Sequence, residues 1–317
     1  MSTIGIIKDP RSIVGFLVSS CGIYWAFKDF DFTSFIITIK QINYLYLILA
    51  ALFLWLSVFI RGLRWKYLFN SDNSPSINFL YKAEMIGYFG NNILPLRLGE
   101  FLRSYIVGKE YSIPKSYVFG TIISERLLDM FSLAFLGFIM LISYPLDNSI
   151  KEKIFFICFI SCVIILIIYL LIFKFRNHLH KNKITDIIYK VFDGILSIRR
   201  DYLFRIILYS ALIWLIYLLD VYFMQKAFQF NLSWNQILTI LVISSMALSI
   251  PSAPGMIGTF HAAIKFTMVD LFSYSINDGN SFAILMHAYG YILLTLLGAY
   301  YFLSSQFHKN ALKSIIK

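Results

Sequence analysis

Charge is scarce in this sequence. Only 14% of its 317 residues are Asp, Glu, Lys or Arg, against about 25% in ordinary soluble domains. Cysteine is scarce too: Cys21, Cys158 and Cys162 all fall inside apolar runs, and no pair reads as a disulfide framework or a metal site. There is no P-loop, no dinucleotide fingerprint and no serine-nucleophile motif. His261 and His287 are the histidines of the apolar segments, and no third ligand stands near them at metal spacing. No catalytic residue, metal or cofactor is therefore assigned. Acidic residues are outnumbered 17 to 28 by Lys and Arg, for a net charge of +11. No nucleic-acid-binding signature accompanies this excess, so nucleic acid is not expected as a partner.

What the chain has in place of charge is apolar length. With 59% hydrophobic residues and a mean hydropathy of +0.72, it reads as an all-α polytopic membrane protein forming a single integral membrane domain over 1–317. Its basic residues lie between the apolar runs, as the positive-inside rule expects. The runs are Ser12 to Phe27, Tyr44 to Ile60, Tyr117 to Ser143, Ile154 to Phe173, Ile206 to Phe228 and Phe282 to Leu303. Val18-Ser19-Ser20-Cys21 has the outline of a lipoprotein cleavage box, but the apolar run continues past it through Trp25, which reads as an uncleaved first span. Arg61, Arg64, Trp65 and Lys66 close the second run like a cytoplasmic anchor. The loop 174–205 is the most basic, with eight Lys or Arg against three Asp. Inside it Ile184, Ile187, Ile188, Val191, Phe192, Ile195 and Leu196 recur at helical spacing. They predict an amphipathic helix that lies on the inner membrane surface or packs on the protein itself.

Two apolar segments are broken. The first holds Asn91-Asn92-Ile93-Leu94-Pro95-Leu96-Arg97-Leu98-Gly99-Glu100-Phe101-Leu102-Arg103; the second holds Pro251-Ser252-Ala253-Pro254-Gly255-Met256-Ile257-Gly258-Thr259. Proline removes a donor and clashes with the preceding turn, and glycine loosens the backbone. In lipid such a break is tolerated where it is buried in protein or lines a wet cavity. Intramembrane charges cost roughly 2.5–3.5 kcal/mol each on insertion scales, so a chain that keeps them has a use for them. With the basic loop and the basic tail (Lys309, Lys313, Lys317) inside, segment 79–103 has to enter and leave from the cytoplasm, and 237–272 from the outside. The expectation is six full spans plus two re-entrant hairpins, folded at Pro95 and at Pro251 and Pro254. Both termini are then cytoplasmic, and the halves 1–150 and 151–317 are inverted. Paired breaks at matching places in inverted halves point to a transport site at mid-membrane.

The candidate ligand residues follow from these breaks. Arg97, Glu100 and Arg103 lie at i, i+3 and i+6, so Glu100 can pair with either arginine. A guanidinium offers a rigid fork suited to a lipid phosphate, or the set forms a structural ion pair that stabilises the hairpin. Thr121, Glu125, Asp129 and Ser132 share one helical stripe, with Arg126 beside it. These residues tie the span to the first hairpin, or else Glu125 or Asp129 serves as a proton or cation site. Asn91 and Asn92 cap the freed backbone or bind a headgroup. Gly255 and Gly258 permit a tight turn or close packing.

The block from Asn91 to Arg103, followed by Glu125-Arg126-Leu127-Leu128-Asp129 and by Pro254-Gly255-Met256-Ile257-Gly258-Thr259-Phe260, resembles the lysylphosphatidylglycerol synthase transmembrane, or flippase-like, family. The likeness covers nearly the whole chain. It implies an integral protein of the cytoplasmic membrane linked to lipid translocation, related to the membrane half of aminoacyl-phosphatidylglycerol synthases and to stand-alone proteins of cell-envelope and glycolipid pathways. Met256 stands where that family commonly has glycine, and His261 where it commonly has glutamate. The aminoacyl-transferase domain of the two-part synthases is absent, so synthesis of lysyl lipids by this chain alone is not expected. The expected partner is an anionic phospholipid or a polyprenyl-phosphate-linked lipid, moved rather than chemically changed. The alternatives are a membrane enzyme or auxiliary subunit, such as a polyprenyl-phosphate sugar transferase using Glu100 with Glu125, and a structural envelope scaffold.

Overall fold

The computed structural model describes Tyr24 and residues 31–70, 74–94, 97–145, 148–175, 183–249, 254–256 and 258–305. Among these residues all regular structure is helical. The first apolar run, Ser12 to Phe27, and the prolines Pro95 and Pro251 lie outside the described residues, Tyr24 apart.

Helix α1 (Phe32–Gln41) starts at Asp31, whose carboxylate accepts from the Thr33 N–H at 2.9 Å and the Ser34 hydroxyl at 2.5 Å. The Ser34 bonds above all hold the Asp31 carboxyl below the usual carboxylate range. Helix α2 (Tyr44–Lys66) follows. Its 23 residues rise about 34 Å, against about 30 Å of bilayer hydrocarbon. After α3 (Ile77–Ile93) and α4 (Gly99–Glu110) come α5 (Lys115–Ser143), α6 (Asn148–Phe175), α7 (Lys183–Ile195) and α8 (Leu203–Ala227). The chain continues through α9 (Trp234–Ser249), a short turn at Pro254–Met256, α10 (Thr259–Lys265), a π-helical stretch Phe266–Leu271 and α11 (Ile276–Ser304). Among the described residues, four helical runs are long and apolar enough to cross a bilayer: α2, α5, Arg200–Ala227 and α11. Helix α6 covers the predicted run 154–173.

Two compact units make up the chain. The first comprises residues 1–55, 88–98 and 216–296; the second comprises 56–87, 99–215 and 297–317. Each draws on both sides of residue 150, so compactness does not follow the halves 1–150 and 151–317. An inverted repeat is a symmetry relation that compactness does not measure.

In the second unit α3 and α4 form an antiparallel helical hairpin. At one end Gly87 lies against α4 so closely that a Cβ there would meet the Arg103 stem at 3.1 Å and the Gly99 carbonyl at 3.5 Å. At the other end the Phe79 and Tyr111 rings meet at 5.3 Å, and the Tyr111 hydroxyl accepts from the Ser76 N–H at 3.0 Å. A core of Trp65, Leu68, Phe69, Leu80, Ala83, Val107, Val118, Ile122 and Ile206 joins the hairpin to the neighbouring helices.

The amphipathic helix of the basic loop, α7, packs on the protein. It crosses α5 at a glycine pair, where a Cβ on Gly120 would come within 2.9 Å of Gly194 Cα. The Ser124 hydroxyl then donates to the Ile195 carbonyl at 3.0 Å. Ile184 and Ile187, earlier on the same stripe, remain exposed.

In the first unit α9 packs on α10 and on the π stretch. Between them the backbone takes left-handed angles at Gly255 (φ +69°), Met256 (φ +56°) and Gly258 (φ +100°). Glycine adopts such angles without the Cβ clash that other residues suffer, so both glycines are required by the turn.

Candidate functional site

Two polar constellations stand out, one in each unit. In the second unit, side chains from four helices build a buried charge cluster. Arg61 and Arg64 come from α2, Glu84 from α3, Glu100 and Arg103 from α4, and Glu125, Arg126 and Asp129 from α5. Arg61 Nη2 lies 2.5 Å from Glu125 Oε1 and 2.7 Å from Asp129 Oδ2. Arg64 Nη2 lies 2.8 Å from Asp129 Oδ1 and 3.7 Å from Glu125 Oε1, while its Nη1 donates to the Ser210 hydroxyl at 3.1 Å. Arg103 pairs with Glu84, lies 3.3 Å from Glu125 Oε2 and stacks its guanidinium 4.7 Å above the Trp65 ring. The indole of Trp65 donates to Thr121 at 2.9 Å.

The charges are graded in depth. Arg64 and Glu125 are wholly buried and Arg103 is 1% exposed, whereas the Arg126 side chain is 31% exposed and those of Glu100 and Asp129 16%. Four arginines face four carboxylates, which is the balance that buried charge demands. The helix spacing explains why one helix can serve so many partners. Glu125 and Asp129 are four residues apart on α5, so both carboxylates project from one face. Arg61 and Arg64, three apart on α2, meet them.

Sequence reasoning located five of these eight residues. Arg103, Glu125, Arg126 and Asp129 come together, and Arg126 reaches Asp129 at 3.5 Å. Glu100, expected to pair with Arg97 or Arg103 on its own helix, instead holds Arg126 Nε of α5 at 2.8 Å. Arg61 and Arg64, which read as an interfacial anchor, are buried counterions, and Glu84 was not singled out at all. The signal that could have found them is the short i, i+3 arginine spacing before an otherwise apolar run has ended. The carboxylates of Glu100 and Glu125 are each engaged by arginine.

The second constellation lies in the first unit, where the two helix breaks meet. Arg97, itself at φ +56°, donates to the Leu248 carbonyl in the last turn of α9 and lies 3.9 Å from Met256 Sδ. A cation there answers both the unpaired carbonyls and the negative end of that helix. Asn92 donates its amide to Thr295 of α11 at 2.8 Å, and its carbonyl accepts from the Tyr291 hydroxyl at 3.4 Å. The Tyr291 ring also presses on Gly255, where a Cβ would come within 2.6 Å of it. His287 Nε2 donates to the Gly255 carbonyl at 2.8 Å, and the His261 and His287 rings are 4.8 Å apart. His261 Nδ1 accepts from the Gly258 N–H at 3.4 Å. The side-chain oxygen of Asn91 is buried and accepts no hydrogen bond among the described residues. The predicted residues Asn91, Asn92, Arg97, Gly255 and Gly258 thus belong to one neighbourhood. No group of three or more metal-ligating side chains occurs among the described residues.

Residues 12–298 match the profile of the lysylphosphatidylglycerol synthase TM region. The chain is also similar to a UPF0104 membrane protein of Methanocaldococcus jannaschii, 26% identical over 220 residues that cover 68% of this chain and 93% of the relative. Another from the same organism is 28% identical over 170 residues, 51% of each chain. A UPF0104 membrane protein of Methanothermobacter thermautotrophicus is 23% identical over 264 residues, 76% of this chain and 77% of its own. No solved structure matches the chain.

Proposed function

We propose, from the premise that this chain belongs to the lysylphosphatidylglycerol synthase TM family and is an integral multi-pass membrane protein, that it moves a lipid between leaflets. The substrate is an anionic phospholipid or a polyprenyl-phosphate-linked glycolipid of cell-envelope biogenesis, and the site is the cytoplasmic membrane. The observation that carries this reading is the junction of the two breaks, where Arg97 reaches the end of α9 and Asn92 reaches Tyr291 and Thr295. Irregular backbone at membrane depth is characteristic of transport sites.

In this reading the hairpins 79–103 and 237–272 are re-entrant from opposite faces, the chain has six full spans besides, and both termini are cytoplasmic. Arg97 attracts the phosphate, Asn91 and Asn92 face the headgroup, and Gly255 and Gly258 let the backbone approach it. In the second unit Arg126 and Glu100, at the exposed end of the charge cluster, offer a headgroup contact of their own. Arg103, Glu125 and Asp129 hold the hairpin rigid. No nucleotide motif is present in the sequence, so movement is passive or ion-coupled.

The test is reconstitution. Purified protein in liposomes should speed the exchange of fluorescent phosphatidylglycerol between leaflets. Arg97→Ala should slow that exchange about tenfold or more, the worth of a charge-assisted hydrogen bond to phosphate, while eluting as a folded protein. Failure to move phosphatidylglycerol and polyprenyl-phosphate lipids alike would overturn the proposal. The topology has its own check: reporter tags at residues 112 and 276 should report opposite sides of the membrane, and the same side would end the inverted arrangement.

A further inference from the structure

A cavity in the second unit, lined in part by the two helices that flank the first break, has the chemistry of a different ligand. Its volume is about 260 Å³, and Lys82, Glu110, Ile106, Tyr301, Ser304 and Ser305 are among its lining residues. Drug-sized ligands occupy roughly 300–1,000 Å³, so the cavity suits a headgroup whose chains stay outside. Its floor is apolar, with Ala83, Ile86 and Ile106 buried. Its rim is charged. The Lys82 ammonium lies 5.9 Å from the Tyr301 ring centroid and has no ion-pair partner among the described residues. Glu110 closes α4, where the helix dipole disfavours a carboxylate, and it too has no ion-pair partner among the described residues.

One cation and one carboxylate thus share a cavity without neutralising each other. The two serines add direction. Ser304 donates its hydroxyl to the Tyr301 carbonyl at 3.2 Å, and Ser305 donates to the Phe302 carbonyl at 2.6 Å. A hydroxyl has one proton and two lone pairs, so with the proton committed each serine is left as an acceptor. Acceptors beside a carboxylate call for a hydrogen-bond donor carrying positive charge. An ammonium on the same rim, with no ion-pair partner among the described residues, calls for an anion. The geometry points to a zwitterionic phospholipid bearing a primary amine, bound through its headgroup, with phosphate on Lys82 and ammonium on Glu110, Ser304 and Ser305. Residues 82, 110 and 304 lie near the ends of their helices, the level at which headgroups and aromatic side chains such as Tyr301 meet. This site shares no residue with those proposed to contact the transported headgroup, and its test does not depend on transport.

Native mass spectrometry of the purified chain in detergent reads lipid retention directly. Phosphatidylethanolamine should be retained more strongly than phosphatidylglycerol, which lacks the amine, and than phosphatidylcholine, whose quaternary nitrogen has no N–H to donate. Lys82→Gln should weaken retention of phosphatidylethanolamine and phosphatidylglycerol about tenfold, and Glu110→Gln should weaken phosphatidylethanolamine about tenfold while sparing phosphatidylglycerol. Both side chains are exposed, so neither change should impair folding, which a size-exclusion profile verifies. Equal retention of all three lipids, or retention unchanged in both variants, would overturn the assignment. So would binding of soluble phosphoethanolamine as tight as that of the lipid.

Discussion

Glu125→Ala should destabilise the protein by about 3–5 kcal/mol, the usual cost of breaking a buried ion pair from one side. The Glu125 carboxylate is wholly buried, with Oε1 2.5 Å from Arg61 and Oε2 3.3 Å from Arg103. Without it Arg61, Arg64 and Arg103 have only Glu84 and Asp129 to answer them, and one positive charge is left buried and unopposed. Glu125→Gln keeps the volume, so its effect isolates the charge and should be nearly as large. The paired change Glu125→Gln with Arg103→Met removes one charge of each sign. It should cost clearly less than the two single changes added together, because contacting residues couple. Thermal unfolding in detergent, followed by fluorescence-detected size exclusion, measures all four variants. Simple additivity would mean that the two groups do not interact and that the cluster is no network.

A second large effect is expected at the helix crossing, where Gly120→Leu or Gly194→Leu should displace α7 from α5. A Cβ on Gly194 would meet Gly120 Cα at 2.9 Å and the Thr121 nitrogen at 3.0 Å. These are backbone atoms, which cannot rotate aside, so the helices have to separate. Overpacking of a core costs about 1–3 kcal/mol, and here separation also removes the Ser124 hydroxyl bond to the end of α7. Trypsin should then cut at Lys190, inside α7, in the variants and spare it in the parent. Equal cleavage of parent and variants would show that the glycine pair does not hold the helix down.

The elements were legible in the sequence because their causes are local. Around 20 apolar residues suffice to mark a helix that can span, and α2, α5, α8 and α11 all carry that signal. The amphipathic pattern from Ile184 to Leu196 likewise predicted α7, within a residue or two of its ends. The pattern could not tell whether lipid or protein covers its apolar face, since both are equally apolar. The Gly120–Gly194 crossing gives the C-terminal end of the stripe to protein and leaves Ile184 and Ile187 exposed, and no local pattern links two glycines on different helices. The reading of Arg61 and Arg64 failed for a related reason. A cation at the end of an apolar run looks the same whether it meets headgroups or carboxylates.

Local spacing also ranked the wrong partner for Glu100. It sees Arg97 and Arg103 at i−3 and i+3, but a side chain on α4 packed against α5 finds Arg126 instead. On its own, the chain's composition and periodicity determined the surroundings it folds for, its helices and the two places where helix cannot continue. These depend on each residue's solubility and backbone freedom. Which charge neutralises which, and that Arg97 ends at the Leu248 carbonyl, was decided only in three dimensions. An ion pair is a property of two side chains at contact distance, and residues far apart in sequence reach it only once their helices have packed.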